Sequence, residues 1–356
     1  MSDNSDRKVV CGVIGAGWWG TYAHVPALLA HPRAQLAAIQ TRDPEAAAKI
    51  SCDFNIPRAF TSAEELIAQP DLEAVVISST PHLHYSQTLA ALRRGLHVLI
   101  EKPMTFTAAE ARELVELAGA KNLKFLSCFP WHYTRHGQEA RRLIAQGELG
   151  ELRMISILMT NPIDHLIRGT ATFSTHGKPY IEPERGTYSE PSVAGGGQIY
   201  NQVTHVAGYL TYLTGARPAE VFARFHNDAC RLDIFDALNI QMENGCLVSV
   251  ASTGATPIEN RLYEIRTYGT QAVLFMELWA GTMTLLRRGG GETRYPDLAP
   301  HEIFPERAPA QNLVDAILGL APVISPGTLG LASMEIIEAA CQSVQTGQNV
   351  KIRDTH

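Results

Sequence analysis

The sequence predicts an α/β fold in two domains: a parallel, doubly wound sheet over residues 1–128, then an α+β domain over 129–356 with a large, mainly antiparallel open sheet. Three observations predict it. At 356 residues the chain exceeds what one hydrophobic core usually organises, since single cores stop growing near ~250 residues. Strand-like and helix-like runs alternate through the first 128 residues. Short strand-like runs punctuated by Gly, Asn or Asp fill most of the second half.

The first element is the apolar run Val9 to Ile14, which breaks into Gly15-Ala16-Gly17-Trp18-Trp19-Gly20 and continues at helical spacing through Val25, Leu28 and Leu29. A GxGxxG alone is a weak signal, and a strand before it with a helix after it strengthens it. Gly15 allows a tight turn, Gly17 lets a backbone approach a pyrophosphate, and Gly20 lets helix pack on strand, with the helix N-terminus attracting the anion. A dinucleotide is therefore expected. Further along come AQLAAIQTR, EAVVISST, HVLIEKP and KFLSCF as strands, alternating with the helical runs DPEAAAKISCDF, SQTLAALRRG and TAAEARELVELAGAKN. Such alternation means parallel strands with right-handed crossovers, a Rossmann-type sheet whose ligands sit at the carboxyl ends of the strands. Those ends carry Ser79, Thr80, Pro81 and His84 in one segment and Glu101, Lys102 and Pro103 in the next. All of these except Pro103 are taken as cofactor contacts, with Gly15, Ala16, Gly17, Trp18 and Trp19 from the turn. The second strand ends in Thr41 and Arg42 where an NAD site normally has a carboxylate; a hydroxyl and a guanidinium suit a 2′-phosphate, so NADP(H) is favoured, while Asp43 keeps NAD(H) open.

Composition removes other partners. A net charge of −6 offers no field for nucleic acid or for an anionic membrane surface. Six scattered cysteines without a CxxC fit a reducing, cytoplasmic setting, and no apolar leader or run of roughly 18 apolar residues is seen. No internal repeat appears. His82 and His84 form a His-x-His, yet alternate residues diverge on a strand and no further ligands accompany them at metal spacing, so no metal is expected. They start the helix beside the nicotinamide.

Over its whole length the chain resembles the glucose-fructose oxidoreductase / inositol dehydrogenase / MocA (Gfo/Idh/MocA) family. The resemblance rests on GAGWWG, on STPHLHYSQTLAALRRGLHVLIEKPM and on AGGGQIYNQVTHVAGYL at 194–210. It implies that Lys102 contacts the substrate hydroxyl and the nicotinamide ribose, and that His205 is the acid/base. The family pattern often has aspartates where this chain has Asn201 and Gly208, and a glycine where it has Val203. Asparagine takes no proton but can hydrogen-bond a hydroxyl or hold His205 in one tautomer. Asn201 and His205, four apart in a helix opened by the glycine run, are expected to share a face.

The second domain opens with the helix QEARRLIAQG and the strand LRMISILMT, followed by residues 161–194 without clear period. Long aperiodic stretches in compact domains are usually functional or disordered. This one carries His165, Arg168, His176, Lys178, Tyr180, Arg185 and Tyr188, of which Tyr188 is taken as a substrate contact with Asn201. Six short strands follow, from EVFARFH to TMTLLRR. CLVSVA and VLFMEL read as apolar on both faces, so GGQIYNQVTHVAGYLTYL and APAQNLVDAIL are assigned to cover one face and a second subunit the other, as a homodimer or homotetramer. A closing helix is expected at 331–346.

The reading is an NAD(P)-dependent oxidoreductase moving hydride between nicotinamide and a secondary hydroxyl or ketone of a sugar or cyclic polyol. Lys102 orients the hydroxyl, its pKa open to lowering near a cationic nicotinamide; His205 moves the proton, and Glu101 and Pro103 fix the strand end. Two other readings use the same residues. One is a redox-neutral lyase or glycosidase-type enzyme that oxidises its sugar transiently; the other is a nucleotide-sensing regulator without chemistry, against which Lys102 and His205 argue.

Overall fold

The alternation of the first 128 residues becomes a six-stranded, wholly parallel sheet in the order β3-β2-β1-β4-β5-β6. Its strands are β1 (Val9–Ile14), β2 (Ala34–Gln40), β3 (Arg58–Phe60), β4 (Ala74–Ile77), β5 (His97–Ile100) and β6 (Phe125–Ser127). This is the doubly wound order expected of a dinucleotide-binding sheet. The computed structural model describes residues 7–170, 179–256 and 261–352. The chain divides into two units: Met1–Cys128 with Thr172–Thr187 and Glu306–Gly330, and Phe129–Ala171 with Tyr188–Pro305 and Leu331–His356.

In the first unit, β1, β4 and β5 are almost completely buried because helices cover both faces of the sheet. Val9, Val13, Leu28, Ile39, Val76, Leu99 and Leu126 form one core cluster with Ala310, Leu313 and Val314. Those last three lie on helix Ala308–Leu318. APAQNLVDAIL therefore closes the parallel sheet instead of covering the antiparallel one, because its apolar face fits the core around β1 and β5. Sequence reading also passed over β3 and the helix Ala63–Ile67, which begins where the Ser62 hydroxyl accepts the Glu65 amide at 3.2 Å.

The second unit holds a nine-stranded sheet in the order β14-β13-β12-β11-β7-β10-β9-β8-β15. Its strands are β7 (Leu152–Thr160), β8 (Pro218–His226), β9 (Phe235–Met242), β10 (Leu247–Thr253), β11 (Leu262–Gly269), β12 (Ala272–Glu277), β13 (Thr282–Arg287), β14 (Glu292–Arg294) and β15 (Val350–Lys351). Every neighbouring pair is antiparallel except β7 and β10. One face is buried under helix Thr204–Thr214, whose Tyr209 ring meets Tyr263 of β11 at 6.0 Å. The other face mixes residue types: Leu247 and Met154, paired across β10 and β7, are exposed, while Ser249, Glu264 and Arg266 interrupt the apolar surface. It is less uniformly apolar than CLVSVA and VLFMEL suggest. Within 161–194 the described residues form three short helices, Asp164–Ile167, Gly186–Ser189 and Pro191–Ala194. The closing helix runs over Gly327–Thr346, within the stretch PGTLGLASMEIIEAACQSVQTG, and so begins before residue 331.

Candidate functional site

The glycine turn after β1 is held by Gln40 at the end of β2, whose carbonyl accepts the amides of Gly15 and Ala16 at 3.0 and 2.8 Å. Gly15 has φ +77°, and a Cβ there would lie 2.3 Å from the Ser79 amide nitrogen. At Gly20 a Cβ would lie 2.7 Å from the Gly15 carbonyl oxygen, whereas at Gly17 it would meet nothing within 4 Å. The protein's own packing demands the outer two glycines and leaves space at the middle one, as a backbone that admits a pyrophosphate requires. Nearby, the buried hydroxyls of Ser78 and Thr80 at the end of β4 have no partner among the described residues. Hydroxyls left this way can take a partner from a ligand or from water. The residues present fit a dinucleotide.

Beyond β5 the chain turns through a cis Lys102–Pro103 peptide. Glu101 is the hub of this corner. Its Oε1 accepts the Trp19 indole N–H at 2.6 Å and faces His24 Nε2 at 2.9 Å; its Oε2 accepts the Lys102 amide at 3.1 Å. The Cys128 thiol adds a further hydrogen bond. Burial pushes the Glu101 carboxyl up, but His24, Cys128 and the Lys102 charge outweigh it and hold the group at about 2. Glu101 is thus a carboxylate, and it fixes the strand end from which half-buried Lys102 projects. Burial lowers the Lys102 pKa while Glu101 opposes it. Trp19, within GAGWWG, is what ties the glycine turn to this corner.

His24, Glu101 and Cys128 are also the one group of metal-ligand type among the described residues, with ligand atoms within 4.8 Å of one another. Hydrogen-bonding geometry explains the cluster without an ion: the Glu101 oxygen already takes two N–H donors, and burial pushes the Cys128 thiol well up, so it stays protonated. His84, expected to touch the cofactor, is 1% exposed, with Nδ1 2.6 Å from the Pro103 carbonyl and Nε2 2.9 Å from that of Ser79. A neutral ring donates to only one of them, and burial lowers its pKa. It braces the two ligand-facing segments against each other. Pro81 starts a short 3-10 turn and Ser79 Oγ donates to Gln87 at 2.6 Å. Thr41 is tied by its amide to the Phe60 carbonyl at 3.2 Å, and exposed Arg42 pairs with Glu184 at 3.0 Å. The Asp43 carboxylate caps the next helix by accepting the Glu45 amide at 2.9 Å.

In the second unit His205 is 6% exposed and packed edge-on by Phe129 and Trp131, with ring centroids at 6.0 and 5.2 Å. Its carbonyl accepts the Tyr263 hydroxyl at 3.4 Å. A π-turn over Ile199–Val203 precedes the α-helix, so half-buried Asn201 sits in a wider turn than the regular helix the sequence suggested. Its Oδ1 accepts from Gln202 at 3.4 Å. Gly208 stands where a Cβ would press 2.7 Å from the Phe129 ring, which accounts for the missing side chain.

Sequence reading missed what anchors this helix. Asp233 accepts the amides of Gly197 and Ile199 at 2.9 and 2.7 Å, and a Cβ on Gly197 would lie 2.0 Å from the Asp233 carbonyl oxygen. Asp236, 3% exposed, has no donor to either carboxyl oxygen among the described residues, and burial and neighbouring Asp233 push its pKa well up. No sequence period marks either residue.

The polar groups of 161–194 scatter. Arg168 donates to Asp228 at 2.6 Å, and Tyr180 to Asp53 at 2.6 Å, both at the surface. Tyr188 is half-buried on its short helix, His165 and Arg185 lie on described segments, and His176 and Lys178 fall outside the described residues.

Two family models match the chain. One, described as an oxidoreductase family with an NAD-binding Rossmann fold, covers residues 9–128; the other, a GFO/IDH/MocA C-terminal domain, covers 138–275. An uncharacterized oxidoreductase of Synechocystis is 33% identical over 61% of this chain and 53% of its own length. A 1,5-anhydro-D-fructose reductase of Ensifer adhaerens is 27% identical over 89% of this chain and 91% of its own. The chain thus spans about half of the first relative and most of the second. A solved levoglucosan dehydrogenase, in complex with NADH and levoglucosan, superposes with a TM-score of 0.82 at 20% identity over 98% of this chain and 100% of that one. Among the described residues no helix is long and apolar enough to cross a membrane.

Proposed function

We propose, from the premise that this chain belongs to the Gfo/Idh/MocA family of oxidoreductases, that it moves hydride between a nicotinamide dinucleotide and a secondary hydroxyl or ketone of a sugar, sugar derivative or cyclic polyol. The observation that carries this reading is the corner after β5, where a buried, ionised Glu101 holds the base of Lys102 at the ligand-binding edge of a parallel sheet. The two relatives named for 1,5-anhydro-D-fructose and levoglucosan support a sugar-like substrate.

A bound nicotinamide supplies the hydride acceptor or donor. The open backbone at Gly17 and the hydroxyls of Ser78 and Thr80 hold the dinucleotide. Lys102, its ammonium disfavoured by burial, orients the reacting hydroxyl and offsets negative charge on its oxygen. His205 takes the hydroxyl proton on oxidation and returns it on reduction. Asn201 and Tyr188 position the substrate. The same reading places the protein in the cytoplasm as a homodimer or homotetramer, a second copy covering the sheet face that exposes Met154, Leu158, Leu247 and Leu286.

Lys102→Ala and His205→Ala should each lower kcat on a responsive sugar or inositol by ~10²-fold or more, with cofactor binding by fluorescence little changed. Full activity in His205→Ala sinks the mechanism. NADP(H) is the favoured cofactor, with NAD(H) the alternative. Arg42 pairs with Glu184 in an exposed contact of the kind worth little, which a 2′-phosphate can displace, and Asp43 is committed to its cap. Arg42→Ala should then cut kcat/KM for NADP(H) by about tenfold while NAD(H) changes much less. Equal losses with both would mean that Arg42 does not read the phosphate.

A further inference from the structure

The second unit carries a half-buried cation, Arg261, for which no anionic partner is found among the described residues. It stands just before β11, with its guanidinium 4.9 Å from the centre of the Trp279 ring. Burial lowers its pKa, and no carboxylate among the described residues opposes that. Several other arginines of this unit are matched with carboxylates, among them Arg168 with Asp228, Arg231 with Glu190 and Arg266 with Glu264. Glu277, at the end of neighbouring β12, gives its oxygens to the amides of Tyr263 at 2.8 Å, Trp279 at 3.3 Å and Ala280. A half-buried charge left unpaired is costly, so its retention calls for a reason.

Its surroundings supply one. Alternate residues of a strand share a face, so Arg261 lies on the side of β11 that carries Tyr263, whose hydroxyl reaches the His205 backbone. Trp131 meets His205, Tyr263 and Trp279 edge-on, with centroids at 5.2, 5.0 and 5.2 Å. One aromatic wall thus runs from the acid/base histidine to the ring on which Arg261 rests. In it, the indole N–H groups of Trp131 and Trp279 are buried with no acceptor among the described residues. Buried donors of this kind are rare in native structures. A guanidinium and two indole N–H groups make three donor groups for which the described residues offer no acceptor.

We propose that these groups form a subsite for a substrate carboxylate, and that the substrate is a sugar acid, an aldonate or uronate, whose reacting hydroxyl is served by His205. This rests on the oxidoreductase reading above and names its substrate class. A planar guanidinium matches a carboxylate as a two-toothed partner. A single arginine balances one negative charge, whereas a phosphate monoester near −2 would leave charge uncompensated between indoles.

The test is equilibrium binding to the full chain with cofactor present, read by tryptophan fluorescence and calorimetry. The probes are D-glucuronate, D-galacturonate and D-gluconate against D-glucose and D-galactose, with D-glucose 6-phosphate as the phosphate arm. At least one acid should bind tenfold to a hundredfold more tightly than its neutral counterpart, the effect expected of a charge-assisted pair. Arg261→Gln should bring that ratio close to one, and Arg261→Lys should keep part of it. Melting curves check that the variants fold. If the glutamine variant does not, loss of the ratio at high salt in the unmodified protein takes its place, because an ion pair is screened. Acids that bind no better than neutral sugars, a ratio indifferent to Arg261→Gln, or a preference for the phosphate each overturn the proposal. Cofactor turnover is scored separately: turnover of neutral sugars without acid preference removes only the subsite, and acid binding through Arg261 with no turnover of any substrate removes only the redox reading.

Discussion

Two buried carboxyl groups, one in each unit, have their pKa values driven in opposite directions. Glu101 is 7% exposed and Asp236 is 3% exposed, so burial penalises both anions. Glu101 is surrounded by donors, the Trp19 indole, His24, the Cys128 thiol and the Lys102 amide, and is held at about 2. Asp236 faces Asp233, whose oxygens are already filled by the amides of Gly197 and Ile199, and its pKa is pushed well up. Neither Asp236 oxygen finds a donor among the described residues, and a second carboxyl lies beside it, so its protonated form is favoured. Depth is shared; the difference lies in whether neighbours offer protons or lone pairs. In the first unit the charge fixes a ligand-facing corner, and in the second the acid whose charge is disfavoured lies beside Asp233, which anchors the start of the helix that carries His205.

Breaking the charged hub should have the largest effect. Glu101→Ala leaves several buried donors without an acceptor, and removal of one partner from a buried ion pair typically costs ~3–5 kcal/mol. Thermal or urea unfolding should show a loss of that order, and Glu101→Gln a smaller one, since an amide cannot accept from every donor that now converges on the carboxylate. A Glu101→Ala protein that unfolds with the wild type would mean that the hub contributes nothing. The sign with pH follows from the lowered pKa: this stability is present above the ordinary carboxylate range and drains away as pH falls toward 2.

That hub marks the limit of what sequence can deliver. The glycine turn, the β-α alternation and the EKP corner are local patterns, and Gly15, Gly17 and Gly20 stand as strand-turn-helix chemistry requires. His24, Glu101 and Cys128 are spread over more than a hundred residues and meet only because β1, β5 and β6 of one parallel sheet end at the same edge. A single sequence carries no period linking them. Helix Ala308–Leu318 was legible as a helix, yet its amphipathic pattern says only that one face is buried, not in which core. The π-turn at Ile199–Val203 was hidden for a related reason: helical periodicity does not separate a 3.6-residue turn from a wider one over five residues. Trp131, Arg261, Asp233 and Asp236 each read as ordinary members of strands or turns until the second sheet assembles around them.

The smallest effect should come from the neutral acid. Asp236→Asn keeps size and shape and removes the charge that burial and Asp233 disfavour. Stability should stay within about 1 kcal/mol of wild type near pH 5, in contrast to any change at Glu101. The two proteins should then part as pH rises. Because the Asp236 pKa is raised in the folded state, its contribution is fully present below the ordinary carboxylate range and is lost as pH climbs toward the folded value. The asparagine variant has no proton to lose, so its advantage in melting temperature should grow as pH rises above the ordinary carboxylate range. Catalysis gives a second reading of the same change: with the helix start held equally well, kcat should follow the wild-type pH profile wherever His205 governs it. A variant that is strongly destabilised at pH 5, or whose advantage shrinks with rising pH, would show that Asp236 is buried as an anion with a donor of its own, and the contrast with Glu101 would collapse.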